Sequence, residues 1–113
     1  MKENEKKYGA AEECPITLAI QVIGGKWKPI IIWGLISGPK RFGEIHRNIA
    51  GMSLKVLSRQ LKDLESDGII IRTSYGEVPP RVEYSLSGKG KSLILIMESL
   101  STWSKENIKQ ATA

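Results

Sequence analysis

Between residues 53 and 87 the chain reads "SLKVLSRQLKDLESDGIIIRTSYGEVPPRVEYSLS", and this stretch restricts the fold more than any other. Leu54, Leu57, Leu61 and Leu64 recur at helical spacing behind a capping Ser53, and Gly68 stops the run. A β-branched segment, "IIIRTSY" (69–75), follows at once. Two adjacent prolines cannot sit inside a paired ladder, so "GEVPP" (76–80) is the turn. "RVEYSLS" (81–87) then alternates, with Val82, Tyr84 and Leu86 on one face, and reads as the returning strand. A helix that stops on a glycine and runs into a proline-tipped hairpin leaves few architectures open.

The flanking segments narrow them further. "CPITLAIQVI" (14–23) predicts a short helix with Pro15 in its first turn, where a missing N–H costs little. "KWKPIIIWGLIS" (26–37) predicts a second helix, apolar on most faces and therefore buried, ended by Gly38 and Pro39. "KRFGEIHRNI" (40–49) is a short amphipathic helix with Phe42, Ile45 and Ile49 on one side. Beyond the hairpin, Ser87 is placed to cap a last helix reaching about Gln110, with Leu93, Ile96, Met97, Leu100, Trp103 and Ile108 in its apolar stripe. Residues 1–13 are polar and aperiodic, a loose tail. Residues 14–113 form one domain, since 113 residues with 41% hydrophobic side chains support a single modest core. The expected fold is mainly α with a small β-hairpin: a winged helix-turn-helix. Winged helices also serve as protein-binding modules, so element order alone leaves the function open.

Charge adds direction. The formal net charge of +5 points to an acidic partner, nucleic acid before a membrane surface. On a helical wheel at about 100° per residue, the direction opposite the mean of the four leucines lies near about 140° from Leu54. Arg59 stands there, flanked by Lys55 and Val56, with Lys62 at the border. A recognition helix (about 53–67) enters the major groove by its N-terminal part. Ser53, Lys55, Val56 and Arg59 are thus expected at base edges, with Ser58 a further small donor. Arg59 suits a bidentate contact to guanine, and Val56 a thymine methyl. Arg41 belongs to a basic run from Lys26 to Lys62 that holds Glu44 as its one acid. The acids Asp63, Glu65 and Asp67 should lie outside the groove. In the wing (about 75–81), Arg81 beside the stiff prolines is the candidate for backbone or minor-groove contact, though Glu77 at the same tip opposes phosphate. The alternative is that these charges only solvate a surface helix and a hairpin edge. The chain would then be a winged-helix protein–protein interaction module without sequence-specific DNA binding.

Other classes fall away. A lone Cys14 excludes an intrachain disulfide framework and a cysteine-rich zinc site. His46, the single histidine, is expected on the exposed side of the short helix near phosphate, and with one distant cysteine it makes no metal site. No carboxylate pair, nucleophile–base pair or phosphate loop stands out, so neither an enzyme nor a cofactor is expected. The N-terminal residues have no apolar h-region, and the longest apolar run, "PIIIWGLI" (29–36), is too short to span a bilayer. The expectation is a cytoplasmic protein, not membrane-bound, with Cys14 reduced.

"ECPITLAIQVIGGKW", "GPKRFGEIHRNIAGMSLKVLSRQLKDLESDGII" and "EVPPRVEYSLSGKGKSL" together resemble the HxlR-type family of winged-helix transcriptional regulators, from about Cys14 to Trp103. The resemblance implies a homodimeric regulator of bacteria or archaea that binds double-stranded DNA at a palindrome-like operator and has no catalytic activity. It implies that the N- and C-terminal helices form the dimer interface, here Ile16 and Leu18 on the first and Ile96, Leu100, Trp103 and Ile108 on the last. The last helix supports this independently, because it carries more apolar side chains than one small core can cover. The alternative is that the stripe packs on the N-terminal helices of its own chain. Some relatives use a cysteine at the position of Cys14 to sense oxidants, quinones or aldehydes. A helix start favours a thiolate, whereas Glu12 and Glu13 oppose one. With no second cysteine, any disulfide must join subunits or a small thiol. A small-molecule effector, in a pocket lined by Trp27, Trp33 and Trp103, is a further candidate partner.

Overall fold

The structure is a computed structural model that describes residues 13–109. The expected tail 1–13 lies outside the described residues except for Glu13, as does the expected helix end at Gln110. The elements are α1 (Pro15–Ile23), α2 (Lys28–Leu35), α3 (Phe42–Arg47), α4 (Leu54–Ser66), β1 (Ile70–Ser74), β2 (Val82–Leu86), α5 (Gly88–Lys91) and α6 (Ile94–Asn107). This is the mainly helical, winged arrangement that the sequence predicts.

α4 forms as its sequence dictates. The Ser53 hydroxyl accepts a hydrogen bond from the Val56 N–H at 3.1 Å, which satisfies one orphan donor and contributes about 1 kcal/mol. At the far end Gly68 takes φ +76°, a conformation that a β-carbon would strain. Between them Leu57, Leu61 and Leu64 are fully buried, each stabilising the fold by about 1.5–3 kcal/mol through apolar transfer. Leu54 departs from expectation and is 58% exposed. Helical side chains lean toward the N-terminus. A leucine at the first position therefore leans off the end of the helix, away from the core that its three successors fill.

The core gathers Ile23, Ile31, Ile32 and Leu35 from α1 and α2, Ile45, Ile49 and Met52 from α3 and its turn, the three α4 leucines, Ile69, Ile70 and Leu86 from the hairpin, and Met97 from α6. α2 is less buried than its composition predicts: Ile30 and Trp33 remain 44% and 45% exposed. Three buried side chains, Ile31, Ile32 and Leu35, suffice to join it to the core, and its remaining apolar face is open.

β1 and β2 pair antiparallel from Ile70↔Leu86 to Ser74↔Val82. A third short segment joins them. The Lys40 N–H donates to the Tyr84 carbonyl at 2.9 Å, and the Tyr84 N–H returns a bond to the Lys40 carbonyl at 2.8 Å. The step into α3 is therefore stitched to the wing.

The last helix is two helices rather than one. Ser87 does cap, accepting from the Gly90 N–H at 3.0 Å, but it caps α5. Its own N–H donates to the Ile69 carbonyl at 3.0 Å, and Lys89 Nζ donates to the Asp67 carbonyl at 2.8 Å. A β-carbon on Gly90 would collide with the Ile69 carbonyl. The short turn is thus anchored to the α4–β1 corner, two glycines weaken it as a helix start, and α6 begins afresh at Ile94. α6 ends at Asn107, so Ile108 is an extended cap residue rather than part of the helical stripe.

Candidate nucleic-acid interface

α3, its turn and α4 form the helix-turn-helix. The carboxylate of Glu44 accepts from the Arg41 N–H at 2.9 Å, which starts α3 and leaves the Arg41 side chain exposed. His46 is not a free surface group. It is half-buried, and its Nε2–H donates to the Met52 carbonyl at 2.8 Å, fixing the turn that delivers α4.

On the outer side of α4, Ser53, Lys55, Arg59 and Lys62 are all exposed and Ser58 is half-exposed. Among the described residues, the ion pairs engage none of Arg41, Lys55, Arg59 or Lys62. Four cations therefore face solution unneutralised, three of them on one helix. Val56 differs from expectation, since it is half-buried and packs against the core. The wheel treats a helix as an isolated rod, whereas the flank of α4 is covered by its neighbours. The apolar side chain actually presented beside Lys55 is Leu54. Its position directly after the cap was the signal, because the first residue of a helix has no preceding turn to lie over. The acidic half of α4 is in part accounted for internally: Asp63 pairs with Lys28 of α2 at 3.8 Å.

The wing handles charge differently. Arg81 does not project as a free cation. Its Nε lies 3.0 Å from Glu77 Oε1 and its Nη1 3.9 Å from Glu83 Oε2, and its guanidinium stacks 3.9 Å from the centre of the Tyr75 ring. The Tyr75 hydroxyl donates to Glu83 at 2.9 Å, a bond that holds the phenol above its usual range. Two carboxylates thus surround one cation at the turn end of the wing. Arg72 on β1 is exposed and is the wing cation without an ion pair among the described residues.

Cys14 caps α1. The backbone N–H groups of Thr17 and Ile16 favour its thiolate and hold the thiol below its ordinary value. The opposing effect expected from the neighbouring glutamates does not prevail for the part of it that is described, Glu13. Of the three tryptophans expected to share a pocket, only Trp33 lines a cavity beside α3. Trp27 packs on the core with Lys26 Nζ 4.7 Å from its ring centre, and Trp103 lies on the open face of α6. Among the described residues no three His, Cys, Asp or Glu side chains group as metal ligands. No helix among them is long and apolar enough to cross a membrane.

The model of the HxlR-like helix-turn-helix family matches residues 22–112. The chain belongs to that family. It is 48% identical over 92 residues to an HTH-type transcriptional regulator of the archaeon Methanothermobacter thermautotrophicus, covering 81% of this chain and 70% of that one. It is 41% identical over 107 residues to the HTH-type transcriptional regulator YybR of Bacillus subtilis, covering 95% and 86%. Among solved structures it is similar to the redox regulator HypR in its oxidised form, with TM-score 0.81 and 41% identity over 86% of this chain and 100% of that one. It is also similar to the reduced form of the transcriptional regulator YodB from B. subtilis, with TM-score 0.75 and 35% identity over 85% and 95%. As a member of this HxlR-like family the chain is a DNA-binding transcriptional regulator, not an enzyme. The protein-only alternative without DNA binding is set aside.

Proposed function

We propose that this HxlR-like protein works in the cytoplasm as a homodimer, with residues 14–113 as one winged helix-turn-helix unit bound to a palindrome-like operator. The N-terminal half of α4 enters the major groove. Arg59 and Lys55 reach base edges with Ser53 and Ser58, Leu54 takes the apolar role first expected of Val56, and Lys62 and Arg41 contact phosphate. The observation that carries this is the row of exposed, unpaired cations on α4 behind a capped N-terminus. In the wing, Arg72 meets the backbone, while Arg81 holds the hairpin in shape.

The dimer forms through the apolar faces of α1 and α6. Ile16 and Leu18 on α1 and Ile96, Leu100 and Trp103 on α6 are between 49% and 70% exposed, with Ile108 at 48% just beyond. Exposed apolar side chains in such number on two helices mark an interface. A two-fold dimer then doubles the bases that one short helix can read. The lowered thiol of Cys14, at the start of α1, supports a response to thiol-reactive signals at that interface.

The test is selection of genomic fragments by the protein, followed by fluorescence anisotropy on a selected site. Arg59→Ala is expected to weaken the selected site by about 1–3 kcal/mol and to relax its sequence preference. If specific and nonspecific affinities both stay unchanged, α4 is not the reading helix.

A further inference from the structure

The open face of α2 is the starting point. Ile30, Trp33 and Gly34 of α2 line a half-open cavity of about 140 Å³ together with Ile45, Asn48 and Ile49 from α3 and the turn after it, and with Lys40. Gly34 has no structural reason within this chain to be glycine. Its backbone is not among the left-handed glycines, and a β-carbon there would meet nothing within 4 Å. A glycine in a helix weakens it relative to alanine, so the space that Gly34 leaves open is the feature to explain.

Size and lining define what fits. An apolar cavity of about 150 Å³ accommodates a benzene ring, so this cavity has room for one six-membered ring. The indole of Trp33 and the isoleucines offer it flat and branched apolar walls. Lys40 adds the polar element. Its Nζ donates to Ser37 Oγ at 2.8 Å and reaches the Gly38 carbonyl at 3.5 Å, which leaves the third of its three N–H donors uncommitted. Among the described residues the ion pairs leave Lys40 without a carboxylate. A cation without a counter-ion among the residues that line an apolar ring-sized cavity favours a ring that carries one negative charge.

We propose that the cavity between α2 and α3 is a binding site for a monocyclic aromatic anion, its ring between Trp33 and the pair Ile45 of α3 and Ile49 of the following turn, and its charge on Lys40. The site touches α3 and the step that holds the wing, so occupancy bears on both DNA-facing elements. That consequence rests on the proposed function, whereas occupancy itself does not.

The probe is benzoate, with benzamide as its uncharged counterpart, titrated into the full chain without DNA. The readout is the three tryptophan indole N–H signals by NMR. Benzoate is expected to shift the Trp33 signal saturably and to leave those of Trp27 and Trp103 in place. Lys40→Met should weaken benzoate about tenfold, as loss of a charge-assisted hydrogen bond requires, and leave benzamide unchanged. Gly34→Leu, which fills the cavity, should abolish both shifts without lowering the melting temperature. The proposal is overturned if Trp33 shows no saturable shift, if Lys40→Met weakens both probes equally, or if Gly34→Leu binds as before. It is also overturned if Gly34→Leu changes the oligomeric mass, because the face would then be a protein contact. Should Gly34→Leu fold poorly, the benzoate-to-benzamide ratio in Lys40→Met decides alone.

Discussion

α4 and the wing both carry arginine toward the surface on which a winged helix meets DNA, and they treat it in opposite ways. Arg59 on α4 is exposed and outside every ion pair among the described residues. Arg81 in the wing is held by Glu77 and Glu83 and stacked on Tyr75. A free guanidinium on a rigid helix gains from phosphate or guanine with little internal loss. A paired one must first give up its carboxylates, and those carboxylates then repel the phosphate. The same residue type therefore has two meanings here, and only the surroundings decide which applies.

The contrast can be broken most forcefully from beneath. Leu61→Ala removes a fully buried side chain of α4, and β1 packs on that helix. It should cost about 2–5 kcal/mol of stability and degrade both regions together. If denaturant unfolding shows a loss below about 0.5 kcal/mol, within the range of a surface substitution, the inner face of α4 does not hold the two regions together. At intermediate size, the slope of log affinity against log salt separates the two cations. Lys55→Ala should reduce that slope by about one unit. Arg81→Ala should leave the slope nearly unchanged and cost at most about 1 kcal/mol in stability, as for a partly exposed ion pair. Equal slope changes would mean that Arg81 leaves its carboxylates to reach DNA.

The smallest expected effect concerns Cys14. Because hydrogen bonding by Thr17 and Ile16 lowers its thiol pKa, the folded protein holds more thiolate than an unfolded chain at any pH between the two values. The pH profile of iodoacetamide labelling should therefore have its midpoint below that of the same segment as a free peptide. An equal or higher midpoint removes the physical basis for a responsive thiol.

Most of the fold could be read from local signals. Ser53, Gly68 and the paired prolines each act on their own backbone, and a local signal is visible in a linear string. What was missed depends on how the chain folds back on itself, over short spans as well as long ones. Val56 lies opposite the leucines on a wheel, yet it packs against the core. Arg81 looks like a free tip cation until Glu77 of the turn and Glu83 of β2 are seen together beside it. His46 looks solvent-facing until the turn brings the Met52 carbonyl within 2.8 Å. The broken last helix has the same origin, since the close approach of Gly90 to Ile69 is set by packing across twenty residues of chain.

The two backbone hydrogen bonds between Lys40 and Tyr84 set a boundary for anyone exchanging parts between members of this family. The hairpin is held in part from outside itself, by its bonds to the strand-like step ahead of α3. A chimera that transplants residues 69–87 alone would graft new side chains onto the old support. Carrying DNA preference from one regulator to another as a working cassette therefore requires cutting ahead of Lys40 and after Leu86, so that both halves of the bridge travel together.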